Sequence, residues 1–155
     1  MPKSISAPDL KAIINDGEEL ALLDARDQGS FGNKHLFFSS CLPLSQLEMK
    51  VRNLVPRHGV RVVLTDDGEG YAAQAAAKLE AFGYSDVAVL DGGVQAWLDA
   101  GFEVFSGVSV PSKAFGEVVE HVNETPNITS EELHAKRAAG DDVVVLDSRP
   151  LDEYL

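Results

Sequence analysis

An α/β fold with a parallel sheet, flanked by helices on both faces, is the class the sequence predicts, on three observations. Short apolar runs without polar alternation recur at Ala21 to Ala25, Val60 to Thr65 and Val87 to Leu90, the pattern of strands buried on both faces. Segments with helical apolar spacing separate them, and strands alternating with helices imply parallel pairing. Glycine- and acid-rich turns follow two of the runs, Asp66-Asp67-Gly68-Glu69-Gly70 and Asp91-Gly92-Gly93.

The elements follow in order. Ser6 is suited to N-cap a helix, with Pro8 in its first turn and Asp9 three residues on. Leu10, Ile13 and Ile14 give it an amphipathic stripe, and Gly17 ends it. The first strand spans Ala21 to Ala25. Residues 27–40 read as a Gly- and Ser-containing loop. Ser45 with Glu48 forms a second capping-box pattern, opening a helix that runs through Leu54. After the strand at Val60 to Thr65 and its acidic turn, Ala73, Ala76, Ala77, Leu79 and Phe82 mark a helix stopped by Gly83. The strand at Val87 to Leu90 leads through Gly92-Gly93 into a helix carrying Trp97 and ending at Gly101. Residues 107–127, with Pro111 and Pro126, read as a connector holding a short helix at 114–122.

The chain also repeats itself, and a repeat decides domain organisation. At an offset of 123 residues, as in Leu10 with Leu133, Ile5-Ser6 matches Ile128-Thr129 and Gly17 matches Gly140. Leu22-Leu23-Asp24-Ala25-Arg26 matches Val145-Leu146-Asp147-Ser148-Arg149, and Phe31 matches Tyr154. The expected organisation is a complete domain over 1–106, a linker over 107–127, and the opening of a second copy over 128–155. Val143 to Leu146 would be that copy's first apolar strand. It is expected to dock on the first domain or on another copy of the chain, because an exposed strand edge is adhesive.

Composition bounds the function. In 155 residues, 13 Lys and Arg face 25 Asp and Glu, a net charge of −12. That balance disfavours nucleic acid and anionic membrane surfaces, which need a basic face. The single cysteine, Cys41, allows no internal disulfide. No apolar run is long enough to span a bilayer and the N-terminus has no signal-like core, so the cytoplasm is the expected compartment.

Four segments then resemble one family. Leu23-Asp24-Ala25-Arg26, followed by Phe31 and His35, resembles the D-x-R…F…G-H segment of rhodanese domains. Leu42-Pro43-Leu44 resembles their I-P-L stretch, and Val62-Val63-Leu64-Thr65 the strand before their active loop. Leu90-Asp91-Gly92-Gly93-Val94-Gln95-Ala96-Trp97, with Gly101, resembles their L-x-G-G-x-x-A-W…G signature. The resemblance covers residues 4–106 and implies a rhodanese-like sheet. Tandem copies are common in that family.

The resemblance implies sulfur transfer by a cysteine at the head of the loop, held as thiolate by backbone N–H groups and a helix N-terminus. Here the matching loop is Asp66, Asp67, Gly68, Glu69, Gly70, Tyr71 and Ala72. Asp66 occupies the nucleophile position and Tyr71 that of a basic residue. A carboxylate cannot carry sulfane sulfur, and a second anion would meet repulsion on the order of a few kcal/mol. The loop N–H groups are therefore expected to be satisfied from within, by Asp66 or by Glu69. The expected role is a non-catalytic domain that packs against, orients or regulates a catalytic sister domain of a longer sulfurtransferase. No cofactor is expected.

Three alternatives use the same residues. Thr65-Asp66-Asp67-Gly68 superficially resembles a Mg²⁺-dependent phosphoryl-transfer loop, but Thr65 stands where the nucleophilic Asp belongs. Asp66 and Asp67 could support divalent-cation-dependent chemistry, bind a cation without catalysis, or form only a solvated acidic turn. Cys41 could be a relocated nucleophile, although no helix N-terminus or histidine is placed beside it by sequence, and a buried hydrophobe is the simpler role. Asp24, Arg26, His35, Gly92, Gly93 and Trp97 read as structural. His58, His121 and His134 lack metal-ligand spacing.

Overall fold

The computed structural model describes residues 2–149. Among them, five strands form one sheet: β1 (Lys3–Ile5), β2 (Leu20–Asp24), β3 (Ser40–Cys41), β4 (Arg61–Thr65) and β5 (Asp86–Leu90). Their order is β1-β5-β4-β2-β3 and every pairing is parallel. The helices are α1 (Ala7–Ile14), α2 (Gln28–Asn33), α3 (Leu47–Leu54), α4 (Tyr71–Ala81), α5 (Gly93–Asp99), α6 (Val110–Asn123) and α7 (Ser130–Ala139). The chain divides into two compact units, Met1–Phe115 and Gly116–Leu155.

Pleating of the central strands builds two cores. Leu23, Val62, Leu64 and Val87 face α3 and α4, where Leu47, Val51, Ala72, Ala76 and Leu79 complete one cluster. Leu22, Val63, Ala88 and Leu90 face α1 and α5, where Leu10, Val94 and Trp97 complete the other. This is why β2, β4 and β5 read as unbroken apolar runs. The short side chains of Ala72, Ala75 and Ala76 bring α4 close against the sheet. Ser6 caps α1 as its sequence indicates, accepting the Asp9 N–H at 3.3 Å while its hydroxyl donates to Asp9 Oδ2 at 2.6 Å.

Several elements differ from the sequence expectation. Residues 27–40 are not all loop, since they contain α2 and the first residue of β3. The Asp27 carboxylate accepts the Gly29 and Ser30 N–H groups at 2.9 and 3.0 Å, and this cap offsets the weak helix propensity of Gly29 and Gly32. The Ser45–Glu48 capping box does not form. Pro43 leads instead into a 3-10 turn at Leu44–Gln46, and α3 starts from Gln46 without a side-chain cap. Glu48 pairs with the Lys78 ammonium on α4. The edge strand β1 was not expected, because three residues with partial burial leave no periodic signal.

In the second unit, Thr129 and Glu132 complete a reciprocal capping box at the start of α7, and Gly140 closes the helix at φ 81°. The helix in the connector is α6, longer than the expected 114–122. No strand forms at 143–146: residues 141–148 have no ladder, and Val144, Val145 and Leu146 are exposed. A strand is held by its neighbours' N–H and C=O groups, and no described residue supplies them here.

Two contacts order the carboxyl ends of the strands, one between β4 and β5 and one at the end of β2. On the first, the Val94 N–H donates to the Asp66 carbonyl at 2.8 Å, and a Cβ on Gly93 would sit 2.2 Å from that same oxygen. Gly93 also has φ +61°, so both space and backbone demand glycine there. On the second, Asp24 and Arg26 form a buried fork. The Arg26 Nη2 lies 2.6 Å from Asp24 Oδ2, with side-chain exposures of 3% and 0%. Nε donates to Asp24 Oδ1 at 2.9 Å, and Nη2 also donates to the Lys34 carbonyl at 2.7 Å. Burial opposes the guanidinium charge, but the Asp24 carboxylate outweighs it and the Arg26 pKa is raised.

Two substitutions test these anchors by urea denaturation. Gly93→Ala should lose at least ~1–3 kcal/mol, because the backbone must leave a left-handed conformation and shift away from Asp66. Arg26→Ala should cost roughly 3–5 kcal/mol, because it strands Asp24 as a buried unpaired charge. Losses within ~0.5 kcal/mol of wild type, the range of ordinary surface changes, would contradict both assignments.

Candidate functional site

The carboxyl ends of the parallel strands are where an open α/β sheet presents its working loops. The loop from β4 to α4 lies there, between the Asp24–Arg26 fork at the end of β2 and the Gly92-Gly93 turn at the end of β5. Gly68 and Gly70 adopt φ of 98° and 80°. These left-handed turns fold the backbone so that the Gly68 and Ala72 N–H groups converge on one point, an arrangement that attracts an anion.

The anion is supplied from within the chain. Asp66 is 7% exposed. Its Oδ1 accepts the Gly68 N–H at 3.1 Å and its Oδ2 accepts the Ala72 N–H at 2.9 Å. Ala72 lies in the first turn of α4, so the carboxylate also meets the positive end of that helix. Glu69 adds a second internal acceptor: its Oε2 takes the Asp67 N–H at 2.6 Å. The two carboxylates thus take three loop N–H groups between them.

Asp67 faces the other way, toward basic groups. Its Oδ2 lies 2.9 Å from the Lys34 ammonium and 4.0 Å from Arg26 Nη1. Its Oδ1 is buried without a hydrogen-bond partner. Lys34 was not singled out by the sequence. It adjoins His35, but nothing in its spacing marks a contact with a loop so far along the chain. Tyr71 opens α4 and is 39% exposed.

The remaining candidate residues make contacts within the first unit. His35 is buried, stacks on Phe31 with ring centroids 3.9 Å apart, and its Nδ1 lies 2.8 Å from the Phe31 carbonyl. Its backbone exchanges two hydrogen bonds of 2.9 Å with Phe105. Trp97 donates from Nε1 to the Glu103 carbonyl at 2.8 Å. Gly92 is confined because a Cβ would lie 2.7 Å from that of Ala96.

Cys41 lies on the edge strand β3 and not in the β4–α4 loop. Its Sγ is 3.8 Å from the Arg26 carbonyl. It lines a cleft of about 570 Å³ together with His35, Ser39, Lys50 and Pro111. Burial and, next, the Asp24 charge raise its thiol pKa, the opposite of what a nucleophile needs. Among the described residues, no group of three or more His, Cys, Asp and Glu is placed to hold a metal ion.

The second Asp-x-Arg pair adopts a local geometry like that of the first. The Arg149 guanidinium meets Asp147 with Nη2–Oδ2 at 2.6 Å and the Arg149 N–H donates to Asp147 Oδ1 at 3.0 Å. The first fork has the same two distances, 2.6 and 3.0 Å. The side chains of the second fork are 53% and 31% exposed.

Comparison with known proteins places this architecture. Residues 6–100 match the rhodanese-like domain family. Thiosulfate sulfurtransferase from Pseudomonas aeruginosa is 45% identical, with a TM-score of 0.90 over 98% of this chain and 29% of its own. This chain therefore spans less than a third of that protein's length. A rhodanese-related protein from Thermoplasma volcanium is 26% identical, with a TM-score of 0.57 over 66% of this chain and 97% of its own. A rhodanese-like domain protein from Staphylococcus aureus, 22% identical, shares the fold with a TM-score of 0.58 over 67% of this chain and 99% of its own. A search of the curated proteins finds no match. No helix among the described residues is long and apolar enough to cross a membrane. By the match across its first unit, this chain belongs to the rhodanese-like domain family.

Proposed function

We propose that the first unit is a non-catalytic rhodanese-like domain, with Asp66 standing where a catalytic member of the family carries its persulfide cysteine. In the longer protein it would orient or regulate a catalytic sister domain, and the partner it fits is that domain of the same chain. Residues 128–155 would be the opening of a further copy. The matched forks at Asp24–Arg26 and Asp147–Arg149 support this, as does the fraction of the sulfurtransferase relative that the chain spans.

One observation carries the reading. Asp66 is buried, and both of its oxygens accept loop N–H groups. Sulfur transfer needs a group that attacks the outer sulfur of a donor such as thiosulfate and then holds it as a persulfide. A carboxylate does neither, and here it fills the N–H cradle that would stabilise the persulfide anion.

The rival chemistries are less well supported. Cys41 has a raised pKa and lies outside the cradle. Cation chemistry at Asp66 and Asp67 would need oxygens free to coordinate. Asp66 already uses both on N–H donors and Asp67 Oδ2 is paired with Lys34, which leaves Asp67 Oδ1 as the one unpartnered oxygen of the two side chains, too few for a hard cation that takes about six oxygen ligands.

A thiosulfate:cyanide assay decides between these readings. The wild-type chain should turn over at the uncatalysed rate, and Cys41→Ser should leave that rate unchanged. Thiocyanate formation above background that disappears in Cys41→Ser would refute the non-catalytic assignment.

A further inference from the structure

We infer that Glu69 is a specificity-determining residue that closes this loop to anionic sulfur donors independently of what stands at position 66. The inference rests on the reading of the loop as a nucleophile-free rhodanese loop and concerns the class of ligand that loop admits.

The charges around the loop do not carry equal weight. Asp24 is neutralised by Arg26 at 2.6 Å and Asp67 by Lys34 at 2.9 Å. Asp66 is buried and satisfied by two N–H groups. Glu69 differs from all three. It is exposed, no cation lies within ion-pair distance of it among the described residues, and its carboxylate sits on the Asp67 N–H at 2.6 Å.

Left-handed Gly68 and Gly70 flank Glu69, and the turn lets its side chain reach back two residues to the mouth of the cradle. An anion entering the loop would have to displace this carboxylate from a short, charge-assisted hydrogen bond and approach a negative charge that has no ion-pair partner among the described residues and feels Arg26 only at longer range. Tyr71, at the start of α4, supplies no compensating cation.

The consequence is a two-part block. Asp66 removes the nucleophile and fills the centre of the cradle. Glu69 refuses the dianionic donor. Restoring a thiol at position 66 therefore does not restore sulfur loading. In that step, the introduced thiolate would attack the outer sulfur of thiosulfate. The S–S bond would break, sulfite would leave with the bonding pair, and the protein would carry a persulfide. No further oxidant or reductant is required, so only access decides the outcome.

The test uses the full chain in a Cys41→Ser background, so that the only thiol is the one introduced by Asp66→Cys. That thiolate can accept the same Gly68 and Ala72 N–H groups. It is compared with Asp66→Cys/Glu69→Gln, which keeps an acceptor for the Asp67 N–H, and with Asp66→Cys/Glu69→Lys, which reverses the charge. Each variant is treated with neutral iodoacetamide, with anionic iodoacetate, and with thiosulfate, and sulfur loading is read as a mass gain of one sulfur atom. Denaturation midpoints show that each variant is folded.

Iodoacetamide should modify all three at similar rates. The iodoacetate-to-iodoacetamide rate ratio should rise about tenfold with Gln and further with Lys. Thiosulfate should load sulfur only where Glu69 is replaced. Equal ratios across the three variants, with equal loading from thiosulfate, overturn the role of Glu69. A thiol inert to iodoacetamide in every folded variant overturns the underlying reading of the loop as an anion cradle, and this inference with it.

Discussion

A coil of backbone N–H groups at the start of α4 requires a negative charge, and in this chain Asp66 provides it. The Ala72 N–H is buried, and leaving such a group unpaired costs ~1–3 kcal/mol, so the Asp66 carboxylate stabilises this loop. Gly68 and Ala72 donate to the two Asp66 oxygens, and the Asp67 N–H donates to Glu69. The acceptors of these three N–H groups are thus side chains of the loop itself. On the function proposed here, the fold keeps the architecture of a sulfur-transfer site while the chemistry is absent.

The surrounding residues hold that loop at its first two positions. Its first residue is gripped through the backbone, where the Asp66 carbonyl accepts the Val94 N–H at a point only glycine 93 can approach. Its second residue is gripped through charge, where Asp67 meets Lys34 and Arg26. Arg26 is itself fixed by Asp24 and by the Lys34 carbonyl. Three strand ends are thereby tied to one turn, and the glycines and the D-x-R pair act through the same loop. The second fork, Asp147–Arg149, reproduces the local geometry with its side chains partly exposed. The same Asp-x-Arg geometry thus occurs with the side chains buried in the first unit and partly exposed in the second.

Much of this was legible in the sequence, for reasons that also explain the gaps. β2, β4 and β5 are covered by helices on both faces, so their residues are apolar without interruption. β1 and β3 have three and two residues and one neighbour each, too short to impose a pattern. α2 was hidden because its helix-forming signal is one Asp27 cap set against two glycines. The apolar run at 143–146 looked like a strand and is not one, because strand formation depends on a partner and not on composition. At the site, the carboxylates of the loop could be found from their position in a family pattern. The Lys34–Asp67 pair could not, since it joins two loops that only the folded sheet brings together.

The account is tested most directly by amide hydrogen exchange at Gly68 and Ala72, compared between the wild-type chain and Asp66→Ala. If the Asp66 side chain is the occupant of the cradle, both amides exchange slowly in wild type. Both then lose that protection in the variant, while amides in the middle of β4 stay protected. Unchanged exchange at Gly68 and Ala72 after Asp66 is removed would show that something else satisfies them, and the central claim would be wrong.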